Sequence, residues 1–256
     1  MNLAWGFAAV GVGAEIGYPL LSGGPRVVAT VVTVIAFAAA SIGHAARVLG
    51  LPAAGALLVV AGGGGLAVEA VGVTTGMPFG RYAYAGTLGP EVVGVPLLVG
   101  LAWIMLAYPS LVVAQRLARS GWRRALVGGW AMAAWDLFLD PQMVDAGHWA
   151  WAPARWRLPG TPGVPVSNLL GWLAVAVVMV AVLDRLLPAP PRRGTDLLPG
   201  LLVLWTYGSY LLANLAFFGR PGVALLGGLG MGTVAVPYAR ALLADRVARV
   251  HPVSAR

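Results

Sequence analysis

Long runs of Ala, Val, Leu, Ile and Gly dominate the chain, and most polar positions fall in the gaps between them. Eight runs stand out, at roughly 4–21, 27–44, 52–73, 92–114, 125–140, 166–187, 197–218 and 222–243. Each approaches the ~20 residues that carry an α-helix across a ~30 Å hydrocarbon layer. The first and fifth are short. All are too long for the ~10-residue strands of a membrane barrel. Gly23-Gly24-Pro25, the stretch Pro188 to Pro191, and Arg220-Pro221-Gly222 punctuate the runs. The pattern predicts an all-α, polytopic transmembrane bundle of eight helices, with seven as the alternative count, in one domain over 1–256. Two connections, 74–91 and 141–165, are long and rich in aromatics, Gly and Pro. Long ordered connections are usually functional.

Composition supports the membrane assignment. Hydrophobic residues make up 59% of the 256 positions and charged residues 10%, against about 25% charged in a soluble domain. So few charges cannot coat a water-soluble particle, and disorder is excluded by the same numbers. Cys is absent, which removes disulfides, thiolate nucleophiles and iron–sulfur clusters. Lys is absent too, so all 17 basic residues are Arg, and Schiff-base or P-loop lysine chemistry is excluded. The N-terminus lacks the positive region of a cleaved signal, the first Arg being Arg26, so the first run is expected to persist.

The net charge of +8 suggests nucleic acid until the arginines are placed. With a cytoplasmic N-terminus, 12 fall inside: Arg47, Arg116, Arg119, Arg123, Arg124, Arg185, Arg192, Arg193, Arg240, Arg246, Arg249 and Arg256. Five fall outside: Arg26, Arg81, Arg155, Arg157 and Arg220. This is the positive-inside bias of a multi-pass protein of the cell membrane with both termini cytoplasmic. Nucleic acid is not expected as a partner.

A carboxylate at mid-bilayer costs ~2.5–3.5 kcal/mol on insertion scales and usually serves function. In this topology the candidates gather toward the outer side: Glu15 in helix 1, Glu69 in helix 3, Glu91 opening helix 4, Asp136 and Asp140 closing helix 5, Asn168 opening helix 6 and Asn214 ending helix 7. Asp184 and Asp245 sit beside cytoplasmic arginines and read as ordinary interfacial charges. Asp136 and Asp140 share a helix face. They serve either a site or an ion pair with Arg81 or Arg155, and Asp140-Pro141 also reads as a helix end. Glu91 also suits a helix N-terminus. Glu15, between Gly13 and Gly17, also suits a packing contact. Ser167 reads as an N-cap. His44 reads as interfacial, His251 as part of a polar tail, and His148 as an outer-loop residue flanked by Trp149 and Trp151. Gly62 to Gly65 and Gly228-x-Gly230-x-Gly232 lie inside helices and follow no strand, so neither is a dinucleotide fingerprint. They fit close helix packing, or room for a stiff ligand.

Three blocks carry a resemblance: TGMPFGRYAYAGTLGPEVVGVP at 75–96, WDLFLDPQMVDAGHWAW at 135–151 and GVPVSNLLGW at 163–172. Together they resemble the membrane-bound carotenoid biosynthesis family that contains the carotenoid hydratases. The resemblance implies water addition to the terminal double bond of an acyclic (ψ) end of a lycopene-, γ-carotene- or bisanhydrobacterioruberin-like carotenoid, without a cofactor or metal. It transfers no assigned catalytic residue. Expected partners are the carotenoid, membrane lipid and other carotenoid biosynthesis enzymes.

The residues supply a matching mechanism. An alkene is a weak base, so protonating it needs a strong local acid and support for a tertiary cation. A buried carboxylic acid holds its proton to higher pH, and a second carboxylate can orient water and take its proton. Asp136 and Glu69 are expected to be the working pair, assisted by Asp140 or Glu91. Tyr82, Tyr84, Trp135 and Trp149 can face the cation or anchor the interface. Phe79, Arg81, His148, Asn168 and Glu15 complete the expected substrate contacts. The alternatives are an intramembrane carotenoid cyclase, a Mg-dependent prenyltransferase built on Asp136-x3-Asp140, and a non-catalytic carotenoid-binding partner.

Overall fold

The computed structural model describes residues 3–161, 163–190 and 194–250. Arg192, Arg193, His251 and Arg256 lie outside the described residues, as does the side chain of Arg249. Eight long helices run in sequence: α1 Leu3–Gly17, α2 Gly23–Leu49, α3 Leu51–Thr75, α4 Leu97–Leu117, α5 Gly121–Asp145, α6 Val166–Leu186, α7 Leu197–Ala216 and α8 Pro221–Val250. All except α5 are long and apolar enough to cross a membrane. The chain is thus a multi-pass, all-α membrane bundle.

Helix α5 is less apolar because Arg123, Arg124, Asp136, Asp140 and Asp145 lie along it. It occupies the interior instead, packed against α4, α6, α7 and α8. Small residues at Gly128, Gly129, Ala131, Ala133 and Ala134 allow that approach. Within α3, residues Leu57–Gly63 form wider π-type turns before the α-helix resumes at Gly64.

Several local expectations change. Helix α4 begins at Leu97, not 92, because Glu91–Val92 and Val95–Pro96 pair as a small antiparallel hairpin. Its two-residue turn, Val93-Gly94, has φ of 53° and 73°, the signature of a tight hairpin turn. Asp140-Pro141 does not end α5. The helix continues to Asp145, since proline removes only one backbone donor. Pro165, not Ser167, occupies the N-cap position of α6, and Ser167 lies in the first turn. His44 is buried rather than interfacial, 2.7 Å from both the Tyr108 hydroxyl and the Thr195 carbonyl oxygen.

The two long connections, after α3 and after α5, meet on one face, here the loop face. The opposite face carries Arg116, Arg119, Arg123, Arg124 and Arg185 and is the basic face. The two long connections join through strands β1 Tyr82–Tyr84 and β4 Trp149–Trp151, in antiparallel register Tyr82↔Trp151, Ala83↔Ala150, Tyr84↔Trp149. The hairpin strands Glu91–Val92 and Val95–Pro96 are β2 and β3.

Candidate active site

Helix α3 carries Glu69 into the bundle, 4% exposed. Gly65 and Gly72 lie four residues before it and three after, on the same helical face. A Cβ on Gly65 would stand 2.3 Å from Cγ of Trp103, and one on Gly72 would stand 2.7 Å from the Tyr82 hydroxyl. The missing side chains admit an indole from α4 and a phenol from β1. Trp103 Nε1 donates to Glu69 Oε1 at 3.1 Å. Tyr84 donates to Oε2 at 3.0 Å, and Tyr82 donates to the same oxygen.

Strand alternation explains why both phenols arrive together, since positions two apart project on one side. The pairing sets Tyr82 beside Trp151 and Tyr84 beside Trp149, with ring centroids 5.8 and 5.7 Å apart. Burial first, and the nearby Glu69 charge second, hold both phenols above their ordinary range. They therefore remain protonated donors near neutrality.

Asp136 and Asp140 lie one turn apart on α5 and are both buried. The Asn168 amide nitrogen, from the first turn of α6, donates to Asp136 Oδ2 at 3.0 Å and to Asp140 Oδ2. Trp149 Nε1 donates to Asp140 Oδ1 at 3.1 Å. The two carboxyls also interact directly, and Glu69 acts electrostatically on both. Asp136 Oδ1 accepts no hydrogen bond from the described residues. No ion pair among the described residues involves Glu69, Asp136 or Asp140. The three acids are held by neutral donors alone.

All three line one cavity of about 1090 Å³ including its open mouth, on the loop-face side. Its walls include Phe79, Trp103, Trp151, Trp172, Met105 and Leu106. Trp103 and Trp172 stack with centroids 4.1 Å apart and planes 7° apart. Acids, aromatic faces and an apolar chamber together can transfer a proton to a hydrocarbon and shelter the resulting cation.

Of the expected site residues, Glu69, Asp136, Asp140, Tyr82, Tyr84, Phe79, Trp149, Asn168 and Glu15 line this cavity. Glu91 does not: it is exposed on β2, outside α4 and outside the cavity lining. Arg81 is exposed next to β1 and pairs with neither Asp. Arg155 instead lies over the Trp156 ring. Trp135 is buried in the core, outside the lining. His148 is buried behind the strands, with Nδ1 2.7 Å from the Thr87 hydroxyl. Asn214 donates to the Tyr210 carbonyl at 2.9 Å within α7, outside the lining. The glycines at Gly65 and Gly72 make room for the protein's own rings, not for a ligand. Sequence reading missed Trp103, Trp172, Gln142 and Ser209 in the lining. The available signal was a Trp near the loop-face end of two otherwise aliphatic helices.

Residues 27–234 match the family described as carotenoid biosynthesis protein. A curated relative, the bisanhydrobacterioruberin hydratase of Haloarcula japonica, is 32% identical over 123 residues, covering 46% of this chain and 40% of the relative. The similarity therefore spans less than half of that protein's length. No solved structure matches the chain.

Proposed function

This chain belongs to the carotenoid biosynthesis protein family, and we propose that it is a carotenoid hydratase acting on the terminal double bond of an acyclic end. The observation that carries the proposal is the meeting of Glu69, Asp136 and Asp140 in one apolar, aromatic-walled cavity with no ion pair to an arginine among the described residues. The similarity to a hydratase supports the same reaction class.

The Asp136–Asp140 pair holds one proton between two carboxyls joined by Asn168. It gives that proton to the CH carbon of the terminal isopropylidene group, and the positive charge falls on the dimethyl-substituted carbon. The Trp103–Trp172 stack and Trp151 face the cation; each such contact contributes ~0.5–2 kcal/mol. A water oxygen then bonds to the cationic carbon. Glu69, fixed by three donors, orients that water and accepts its proton. The sum is alkene plus water giving a tertiary alcohol, with no electron transfer. The protein sits in the cell membrane with its loop face outside, and water reaches the site from that face. Membrane lipid and enzymes making or using the same carotenoid are its natural neighbours.

The test is expression in a lycopene-producing host with mass analysis of the pigments. A gain of one or two waters is expected with the native chain, and none with Asp136→Asn or Glu69→Gln. Full conversion by both variants would remove this pair from the mechanism. A product of unchanged mass but altered absorption would point to cyclisation instead.

A further inference from the structure

Helix α1 presents one stripe to the bundle, and the stripe changes character along its length. Ala4, Ala8 and Gly11 are buried and pack toward α2. A Cβ on Gly11 would stand 2.3 Å from the Phe37 ring, and one on Gly43 would stand 3.7 Å from Cβ of Ala4. Glu15 and Tyr18 continue the stripe at helical spacing, but they line the chamber instead. Helix α1 packs along α2 and meets α7 only sparsely. On the α7 side the lining is Ser209, Tyr210 and Ala213, with Phe218 just beyond the helix.

Glu15, Ser209, Ala213 and Phe218 are only half-buried, so the chamber comes to the surface of the bundle between α1 and α7. Ile16 and Leu20 on one side of this seam, and Leu212 and Leu215 on the other, are exposed apolar side chains of two helices fit to cross a membrane. That surface meets hydrocarbon, not water. Trp205 Nε1 crosses the seam to donate to Glu15 Oε2 at 2.5 Å, and the Tyr18 and Phe218 rings meet edge to face across it, centroids 6.1 Å apart.

A carotenoid polyene is a stiff rod comparable in length to the ~30 Å hydrocarbon layer. The residues lining the chamber all lie in the loop-face half of their helices or in the loop-face connections. The chamber is therefore too short to enclose such a rod. With one end at the acids, the body must leave the protein. The loop-face mouth leads to water, where so much apolar surface is disfavoured; the seam leads to hydrocarbon. A single hydrogen bond nets little once its solvent exchange is counted, so the tie across the seam is weak, while α1 stays held to α2 when it opens.

We infer that the seam between α1 and α7 is a lateral portal. The polyene enters there from the bilayer, its reacting end reaches the acids, its body lies along the seam, and the Glu15–Trp205 hydrogen bond is the latch. The inference rests on reading the cavity as a carotenoid site.

The experiment uses the full chain in detergent, with lycopene added in the same detergent and tryptophan quenching followed in time. The native chain has no cysteine, so Tyr18→Cys with Phe218→Cys can be tied across the seam by a reducible bis-methanethiosulfonate linker. The comparison is the same variant capped on both cysteines by a monofunctional methanethiosulfonate. The tie is expected to slow uptake about tenfold or more, because a gating motion then sets the rate, and reduction restores it. A second tie, the disulfide of Ala4→Cys with Gly43→Cys, joins α1 to α2, where Cβ positions 3.7 Å apart suit the bond. It should leave uptake unchanged. Trp205→Phe, which keeps a ring but cannot donate, is expected to speed uptake about fivefold, the factor one net hydrogen bond carries. Equal rates in the tied and capped chains overturn the inference. So does equal slowing by the α1–α2 tie, and so does unchanged uptake in Trp205→Phe. A native chain that takes up no lycopene overturns the carotenoid reading and this inference with it, whereas fast uptake past the tied seam overturns this inference alone.

Discussion

Both ends of the bundle bury acids, but they give them different partners. At the basic face, Asp184 pairs with Arg124 at 2.9 Å, and Arg116 bridges Asp196 at 3.0 Å and Asp245 at 2.5 Å. On the loop-face side, Glu69, Asp136, Asp140 and Glu15 are met by indole, phenol and amide groups. A guanidinium fixes a carboxylate as an anion and ties helices together. Neutral donors fix only its position and leave its proton free to move. The first arrangement suits anchoring and the second suits acid–base chemistry. The same residue type thus has two uses in one molecule, separated by roughly the thickness of the bundle.

The largest expected effect comes from exchanging an acid for its amide at each end. Asp136→Asn keeps an oxygen for Asn168 but cannot carry the shared proton. Conversion is expected to fall by about 10²–10⁴-fold, the usual worth of a positioned general acid or base, with normal amounts of folded protein. Glu69→Gln should behave similarly. Asp184→Asn at the basic face should lower stability while turnover per folded molecule stays within about twofold. Pigment analysis normalised to folded protein checks all three. If Asp184→Asn silences the reaction as fully as Asp136→Asn does, the division of labour is wrong.

Next in size is the arginine clamp itself. Arg116→Gln leaves Asp196 and Asp245 without their shared cation in a partly buried place. Exposed pairs contribute little, and breaking fully buried ones costs ~3–5 kcal/mol. A loss of about 2 kcal/mol is expected here, read as a lower unfolding midpoint in detergent. The pigment ratio produced by the surviving folded fraction should not change.

This division was only partly legible in the sequence. Helix number and the gathering of Glu15, Glu69, Asp136, Asp140 and Asn168 toward one side followed from hydropathy, because an acid inside an apolar run has few explanations. Asp184 and Asp245 read only as ordinary interfacial charges, and their partners, Arg124 and Arg116, stand on other helices rather than beside them in sequence. What escaped was long-range. The YAY and WAW triplets alternate with the period of a strand, yet nothing local says that positions 82–84 and 149–151 pair across more than sixty residues. Trp103 read as one more apolar residue of α4 and is a donor to Glu69. Trp135 and Glu91 looked equally suitable, but helix phase turns the first into the core and the β2–β3 hairpin carries the second outside. Asp145, which pairs with Arg220 on the loop face, and Asp196 were not singled out at all.

A smaller effect probes how the neutral cage is built. Gly65→Ala places a methyl group where the Trp103 ring now lies, so the indole must withdraw from Glu69. Overpacking of this kind costs ~1–3 kcal/mol. Turnover should drop about tenfold, because Glu69 keeps two of its three donors. Trp103→Phe should reproduce the loss of turnover with less loss of stability. Equal turnover in Gly65→Ala and the native chain would mean that the Trp103 contact does not position Glu69.

The smallest effect concerns the cap over the site. His148 is 1% exposed, and burial alone lowers its pKa below the ordinary 6.5. Its backbone carbonyl accepts from Ala85, and its ring meets Thr87, so it staples the connection after α5 to the one after α3. The unfolded chain takes up a proton near pH 6.5, and the folded chain resists until a lower pH. The stabilisation is therefore complete above about pH 6.5 and declines as pH falls from there toward the folded value. The unfolding midpoint of the native chain should drop more between pH 7.5 and 5.5 than that of His148→Gln, by an amount worth about 1 kcal/mol or less. Parallel curves for the two proteins would show that the cap does not depend on a neutral imidazole.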